Sequence, residues 1–289
     1  MPDLEGRTAL VTGANSGLGL ETSVLLAQSG ARVLMACRNP GKAEAAASRV
    51  CDRAEVVTLD LASLASVAEA AEQVGARTGH LDILVNNAGL MAVDEARTVD
   101  GFEMQFGVNH LGHFALTAAL MPQLLASERA RVVNVSSFGH RAGVMNFDDL
   151  MFEHRPYDRW RPYFQSKLAN LLFTRELERR LRRAGTPAQA LAAHPGNART
   201  NLGHVGHGFT NSMMRPSGWL AQPARIGALP LVRAAADPEA KGGEFYGPHL
   251  QVAGYPVLET PSRRARNQAD AERLWEVSEK LTGVQFNLP

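Results

Sequence analysis

Tyr163 and Lys167 stand four residues apart in a stretch of helical period, so a helix there puts both on one face. A phenol is a weak proton donor at its free pKa of about 10. A neighbouring ammonium stabilises the phenolate and eases loss of the proton. Such a pair can hand a proton to the alkoxide that forms when hydride reaches a carbonyl carbon, or take it back in the reverse direction. General acid–base catalysis of this kind contributes roughly 100- to 10,000-fold. Tyr-x-x-x-Lys by itself is common, and a helix-surface pair looks the same. Its meaning depends on the motifs around it.

Thr12-Gly13-Ala14-Asn15-Ser16-Gly17-Leu18-Gly19 lies between a β-branched run and a helical stretch. Glycines there allow a tight turn and let backbone approach a pyrophosphate. The helix amino terminus adds free N–H groups and the positive end of its dipole. Three glycines alone also suit a bare turn, but the strand-to-helix position indicates a dinucleotide site. Gly13, Asn15, Ser16, Gly17, Leu18 and Gly19 are its expected contacts. NAD-binding proteins usually end the second strand with Asp or Glu for the ribose 2′-hydroxyl. This sequence has Cys37 there, followed by Arg38. A guanidinium fork suits a 2′-phosphate, and no carboxylate repels it. NADP(H) is therefore the expected cofactor. The plain alternative for Arg38 is a solvated strand-end cation, and Lys42 reads as helix surface.

The elements that must position these groups follow from periodicity. Strands are expected at 8–12, 31–37, 54–59, 81–86, 131–136 and 187–193. Helices are expected at 18–29, 41–51, 63–78, 100–126 and 160–184. The alternation implies right-handed crossovers and a parallel sheet covered on both faces. The expected fold is α/β, a doubly wound Rossmann fold with about seven parallel strands, in one domain over 1–289. Two stretches interrupt it: an insert at 138–159, and a Gly-, Met-, Asn- and Pro-bearing stretch at 197–224, expected to close over substrate as a lid. Both follow strands, on the carboxyl edge where open sheets bind ligands. Phe138, Phe147, Leu202, Phe209, Met213, Met214 and Trp219 are candidates for an apolar pocket wall, although each by itself reads first as ordinary packing.

Bulk properties exclude several classes. The 289 residues are 45% hydrophobic and 20% charged, with a formal net charge of +1. That is an ordinary globular composition, with nothing to draw nucleic acid or an acidic membrane. The two cysteines, Cys37 and Cys51, are too few for a disulfide scaffold and read as reduced thiols, which points to a cytoplasmic location. Neither a signal peptide nor a membrane-spanning run is visible. His204 and His207 have no third partner at ligand spacing, so no metal is expected. The Lys-bearing phosphate loop of NTPases is absent.

The Thr-Gly-x-x-x-Gly-x-Gly spacing resembles the short-chain dehydrogenase/reductase family. Further matches follow in family order over about residues 5–200: Asp60 after the third strand, Asn86-Asn87-Ala88-Gly89 ending the fourth, Tyr163 with Lys167, and Pro195-Gly196 with Thr200. Ser16 replaces the glycine that the epimerase and dehydratase branch needs. The resemblance implies cofactor contacts at Asp60, Leu61, Asn87, Ala88, Gly89, Tyr163, Lys167, Pro195, Gly196 and Thr200. It also implies a catalytic tetrad of Asn109, Ser137, Tyr163 and Lys167. Ser137 would bind the substrate oxygen, Ser136 would support backbone, and Asn109 would help hold a water near Lys167. The implied proton path runs from Tyr163 through the ribose and Lys167 to that water.

Ala36-Cys37-Arg38-Asn39, the run His110 to Phe114, the run Ser166 to Asn170, His194-Pro195-Gly196 and the long insert resemble the retinol dehydrogenase-like branch, as does Arg-Leu-Trp-Glu-Val-Ser at 273–278. That implies a lipophilic alcohol or aldehyde as substrate, although the membrane anchor common in that branch is not seen. The expected function is NADP(H)-dependent hydride transfer to or from a small carbonyl or alcohol. A homodimer or a monomer is expected, because the insert and the carboxyl segment can cover the helices through which relatives pair. Two other readings stand beside it. One is a non-catalytic NADP-binding sensor or scaffold on the same fold, which usually has lost the Tyr or the Lys. The other is an NAD-linked secondary alcohol dehydrogenase, which NADPH against NADH preference would separate.

Overall fold

The computed structural model describes residues 2–50, 54–197 and 222–289. Its centre is a sheet of eight strands: β1 (Thr8–Thr12), β2 (Arg32–Cys37), β3 (Ala54–Thr58), β4 (Ile83–Asn86), β5 (Arg131–Val135), β6 (Gln189–Ala193), β7 (Phe245–Pro248) and β8 (Pro256–Leu258). Their order is β3-β2-β1-β4-β5-β6-β7-β8. The first seven run parallel, and β8 pairs antiparallel with β7. The expected doubly wound sheet is present, extended by an antiparallel edge strand. β1 and β4 are buried along their whole length, as continuous apolar runs covered on both faces must be.

Helices α1 (Gly17–Gln28), α2 (Pro40–Val50) and α3 (Leu64–Arg77) make the early crossovers. The long helix expected at 100–126 is divided. Glu103 caps α4 (Met104–Phe106), its carboxylate accepting the Gln105 and Phe106 N–H groups at 2.9 and 2.6 Å. A π-turn follows at Gly107–Leu111, then α5 (Gly112–Ala119) and α6 (Met121–Leu125). Pro122, in the first turn of α6, cannot donate to the preceding turn, so the helix breaks there. α7 (Trp160–Arg183) buries one long face against the sheet. α8 (Ala224–Ala236) covers the opposite face beside α1, and α9 (Gln268–Thr282) lies along α7. Arg180 stacks over the Trp275 ring at 4.3 Å, which fixes that last packing. No helix among the described residues is long and apolar enough to cross a membrane.

The insert at 138–159 is held in place. Its first turn, Phe138–Ala142, is 3₁₀. Asp149 accepts the Glu153 N–H at 2.6 Å, and the Tyr157 hydroxyl donates to buried Glu103 at 3.1 Å. Burial raises the Glu103 carboxyl above its usual range, against the pull of its capping N–H groups. Most of the stretch expected to form a lid, 198–221, lies outside the described residues, together with Thr200, Leu202, His204, His207, Phe209, Met213, Met214, Trp219 and Cys51.

Candidate functional site

The carboxyl edge of the sheet opens where β1 and β4 meet. Gly13 has φ +66° and Gly17 φ +54°, a region side chains disfavour, so the chain can turn sharply into α1. Gly19 is required by space: a Cβ there would lie 2.3 Å from the Gly13 carbonyl oxygen and 2.6 Å from Asn87 Nδ2. The first turn of α1 therefore presses directly on β1 and β4.

Thr12 locks this corner. Its Oγ1 accepts the Asn87 and Ala88 N–H groups, both at 2.9 Å, and donates to His113 Nε2 at 2.9 Å. His113 Nδ1–H donates to the Asn109 carbonyl at 3.1 Å, which sets the tautomer. Burial, helped by the nearby Lys167 charge, pulls His113 down to about 4, so the imidazole stays neutral and keeps this pattern. Asn87 Nδ2 donates to the Thr12 carbonyl at 2.8 Å. Thr12 opens the glycine motif in the sequence, but nothing local points to its pairing with His113. His113 drew notice only as part of a family-like run, because its partner lies about a hundred positions away.

Asn109 sits in the π-turn and is fully buried. Its amide holds the Leu90 backbone from both sides, accepting N–H at 2.7 Å and donating to C=O at 2.9 Å. It also donates to Ser166 Oγ at 2.9 Å. Gly89 makes room: a Cβ there would lie 3.0 Å from Asn109 Oδ1 and 3.4 Å from Lys167 Nζ. Asn109 and Lys167 thus face one point of the backbone.

Tyr163 and Lys167 share the buried face of α7, with Lys167 Nζ 5.8 Å from the Tyr163 ring centre. Lys167 Nζ donates to the Val135 carbonyl at 3.2 Å. Burial lowers the ammonium from its ordinary 10.5 to about 8. Burial raises the Tyr163 phenol, and a hydrogen bond with Ser137 partly opposes this. Ser137 follows β5 and starts the 3₁₀ turn, accepting the Gly139 N–H at 3.1 Å. Ser136 donates to the Lys167 carbonyl at 2.8 Å, joining β5 to α7.

A cavity of about 830 Å³ runs along this edge. One end is lined by Gly13, Asn15, Ser16, Gly17, Leu18, Gly19, Arg38, Asp60 and Leu61, and the middle by Asn87, Ala88, Gly89, Ser137, Tyr163, Lys167, Pro195 and Gly196. The far end is lined by Leu90, Met91, Met104, Phe138, Trp160, Phe164 and Val252. Every expected catalytic and cofactor-binding residue within the described residues borders it except Asn109, which lies just behind. Among the described residues, Arg38, Asp60 and Lys167 are the charged groups on its wall. Arg38 is exposed and has no ion pair among the described residues, while Asp60 Oδ1 accepts the Ala62 N–H at 2.9 Å. Phe147, a candidate for the pocket wall whose first reading is ordinary packing, is half-buried against the core, beside the Arg273 guanidinium. Among the described residues no group of three metal-ligating side chains occurs.

Residues 7–205 match the short chain dehydrogenase family. Human retinol dehydrogenase 13 is 42% identical, over 98% of this chain and 86% of that protein. A crystal structure of an uncharacterised protein from Mycobacterium paratuberculosis is 45% identical, with a TM-score of 0.86 over 100% of this chain and 97% of that one. The Pseudomonas aeruginosa RhlG/NADP active-site complex is 25% identical, with a TM-score of 0.66 over 85% of this chain and 95% of that one.

Proposed function

The chain belongs to the short chain dehydrogenase family, retinol dehydrogenase-like, and from that premise we propose that it is an NADP(H)-dependent reductase of lipophilic carbonyl compounds, with Tyr163 as acid–base. The observation that carries the reading is the convergence of Ser137, Tyr163 and Lys167 on the middle of one cavity that also reaches the glycine turn and Arg38.

The residues present suit a dinucleotide. Gly13, Gly17 and Gly19 carry no side chain in the turn where a pyrophosphate would lie, and Gly19 leaves no space for a Cβ. Arg38 is unpaired among the described residues at the position where a ribose 2′-phosphate would lie. Asp60 and Leu61 would flank the adenine. Asn87, Ala88, Gly89, Pro195 and Gly196, with Thr200 from outside the described residues, would hold the nicotinamide end. When bound, the reduced nicotinamide supplies the hydride. Ser137 and Tyr163 hold the carbonyl oxygen, and Tyr163 gives it a proton. Burial keeps the phenol protonated, which is the form that carbonyl reduction consumes. Lys167, an ammonium at pH 7, stabilises the phenolate left behind, and Asn109 holds the backbone beside it. The far end of the cavity carries no charged side chain among the described residues, which supports a neutral apolar substrate.

Stopped-flow nicotinamide absorbance with NADPH and NADH, over a carbonyl panel, tests the reading. We expect NADPH oxidation, with Arg38→Ala weakening NADPH binding by roughly 10- to 100-fold and leaving NADH binding unchanged, the worth of one charge-assisted contact. Equal use of NADH by the wild type would sink the Arg38 argument. Tight NADPH binding with no turnover would move the weight to a sensor. Gly19→Ala is expected to weaken binding of either dinucleotide by at least about tenfold, because backbone has to shift; unaltered titrations would show that the turn is not the pyrophosphate site.

A further inference from the structure

Behind the cavity wall two buried histidines flank Phe245. His194 stacks on its ring, with centres 5.2 Å apart, and His140 meets it edge-on at 5.6 Å. Each imidazole reaches a different piece of the site. His140 Nδ1–H donates to the Ser137 carbonyl at 2.7 Å. His194 Nδ1 accepts the Gly196 N–H at 3.2 Å. The outer nitrogens are both met by the segment that follows β8. His194 Nε2–H donates to Glu259 Oε1 at 2.9 Å, and His140 Nε2 accepts the Ser262 N–H at 3.2 Å. Glu259 also has a charged neighbour, Arg141, at 3.9 Å.

The hydrogen-bond directions leave His194 one workable tautomer. Nδ1 accepts from backbone, so Nε2 carries the proton, and a carboxylate is the acceptor that favours this form. Space for the pair comes from Gly247: a Cβ there would lie 2.1 Å from both Glu259 Oε1 and His194 Nε2. The turn it supports is tightly set. Gly196 has φ +65°, and a Cβ there would lie 2.5 Å from the Val252 carbonyl oxygen.

We propose that Glu259 and His194 are positioning residues, which hold the Pro195–Gly196 turn at the cavity wall and, with Phe245 and His140, tie it to Ser137. The brace fixes the cofactor wall and the substrate-oxygen donor relative to each other. The inference rests on the proposed hydride transfer. A displacement of about 1 Å from a reactive geometry can cost on the order of 100-fold in rate.

The test compares wild type, Glu259→Ala and Glu259→Gln by NADPH titration, emission of bound NADPH and single-turnover hydride transfer. Glu259→Ala should slow hydride transfer by roughly 30- to 100-fold and change bound-NADPH emission, while the Kd moves by less than about threefold, because the adenosine end holds most of the dinucleotide. The Gln carbonyl oxygen still accepts from Nε2–H, so Glu259→Gln should stay within about threefold of wild type. A Glu259→Ala enzyme with wild-type rate and emission, or a Gln variant as slow as Ala, would overturn the proposal. If Glu259→Ala does not fold, His194→Asn against His194→Leu carries the test. Asn keeps an acceptor for the Gly196 N–H but is too short to reach Glu259, so both variants should slow hydride transfer, Leu more than Asn; a wild-type rate in either overturns the brace. Emission needs no substrate, so a wild type that binds NADPH and turns nothing over sinks the reductase reading and leaves the brace measurable.

Discussion

Tyr163→Phe should lose hydride transfer by on the order of 1,000-fold while NADPH binding changes by less than about threefold. The substitution removes one oxygen and little else. Tyr163 is 7% exposed, and its ring packs against Trp160 and Phe164, with centres 6.2 and 5.9 Å away. Phenylalanine keeps both contacts. The lost hydroxyl takes with it the hydrogen bond to Ser137, whose Oγ keeps the Gly139 N–H. Thermal stability should therefore stay close to wild type, so a loss of rate can be read as lost chemistry. Single-turnover absorbance with saturating NADPH and the best carbonyl of the panel measures it. A residual rate within tenfold of wild type would show that the proton comes from another group or from water.

The local parts of this site were legible and the long-range parts were not. Gly13, Gly17 and Gly19 advertise themselves because a positive φ or a missing Cβ is a property of one position. Tyr163 and Lys167 are one helical turn apart, so periodicity alone places them together. Asn109 needed a family resemblance, since the π-turn that presents it keeps an apolar pattern and reads as plain helix. In retrospect Gly107 marks the spot: a Cβ there would lie 2.5 Å from Thr98 Cγ2. β7 escaped because Phe245-Tyr246-Gly247-Pro248 is short and ends in residues that usually break strands. Phe147, a pocket candidate that reads first as ordinary packing, shows why hydrophobicity alone does not distinguish a pocket wall from a core: it packs against the core. Thr12 with His113, and His194 with Glu259, join residues far apart in sequence, and no local pattern connects them.

Lys167→Met should abolish turnover and at the same time make the dinucleotide-free protein more stable at neutral pH, because the ammonium is buried without a carboxylate to offset it. Burial lowers its pKa from 10.5 in the exposed reference to about 8 in the fold. Between those values the unfolded chain binds the extra proton, so folding stability rises with pH across that window. Below about 8 both states are protonated and the penalty is fully present, on the order of 3 kcal/mol. Methionine matches the stem and carries no charge. The Val135 carbonyl released by Lys167 keeps the Asn170 amide at 3.0 Å, so no acceptor is left bare. Urea denaturation at pH 7 should therefore favour Lys167→Met by about 1 to 3 kcal/mol, and the advantage should shrink toward pH 10 as the wild-type amine sheds its proton in the fold. A wild-type stability flat from pH 8 to 10.5 would show that the ammonium is not held at a cost. Turnover should follow the same titration in the opposite sense, falling as pH rises through about 8 if the charge is what stabilises the Tyr163 phenolate. An expensive buried cation, kept where a methionine would pack at least as well, is best explained by a reaction that needs its charge.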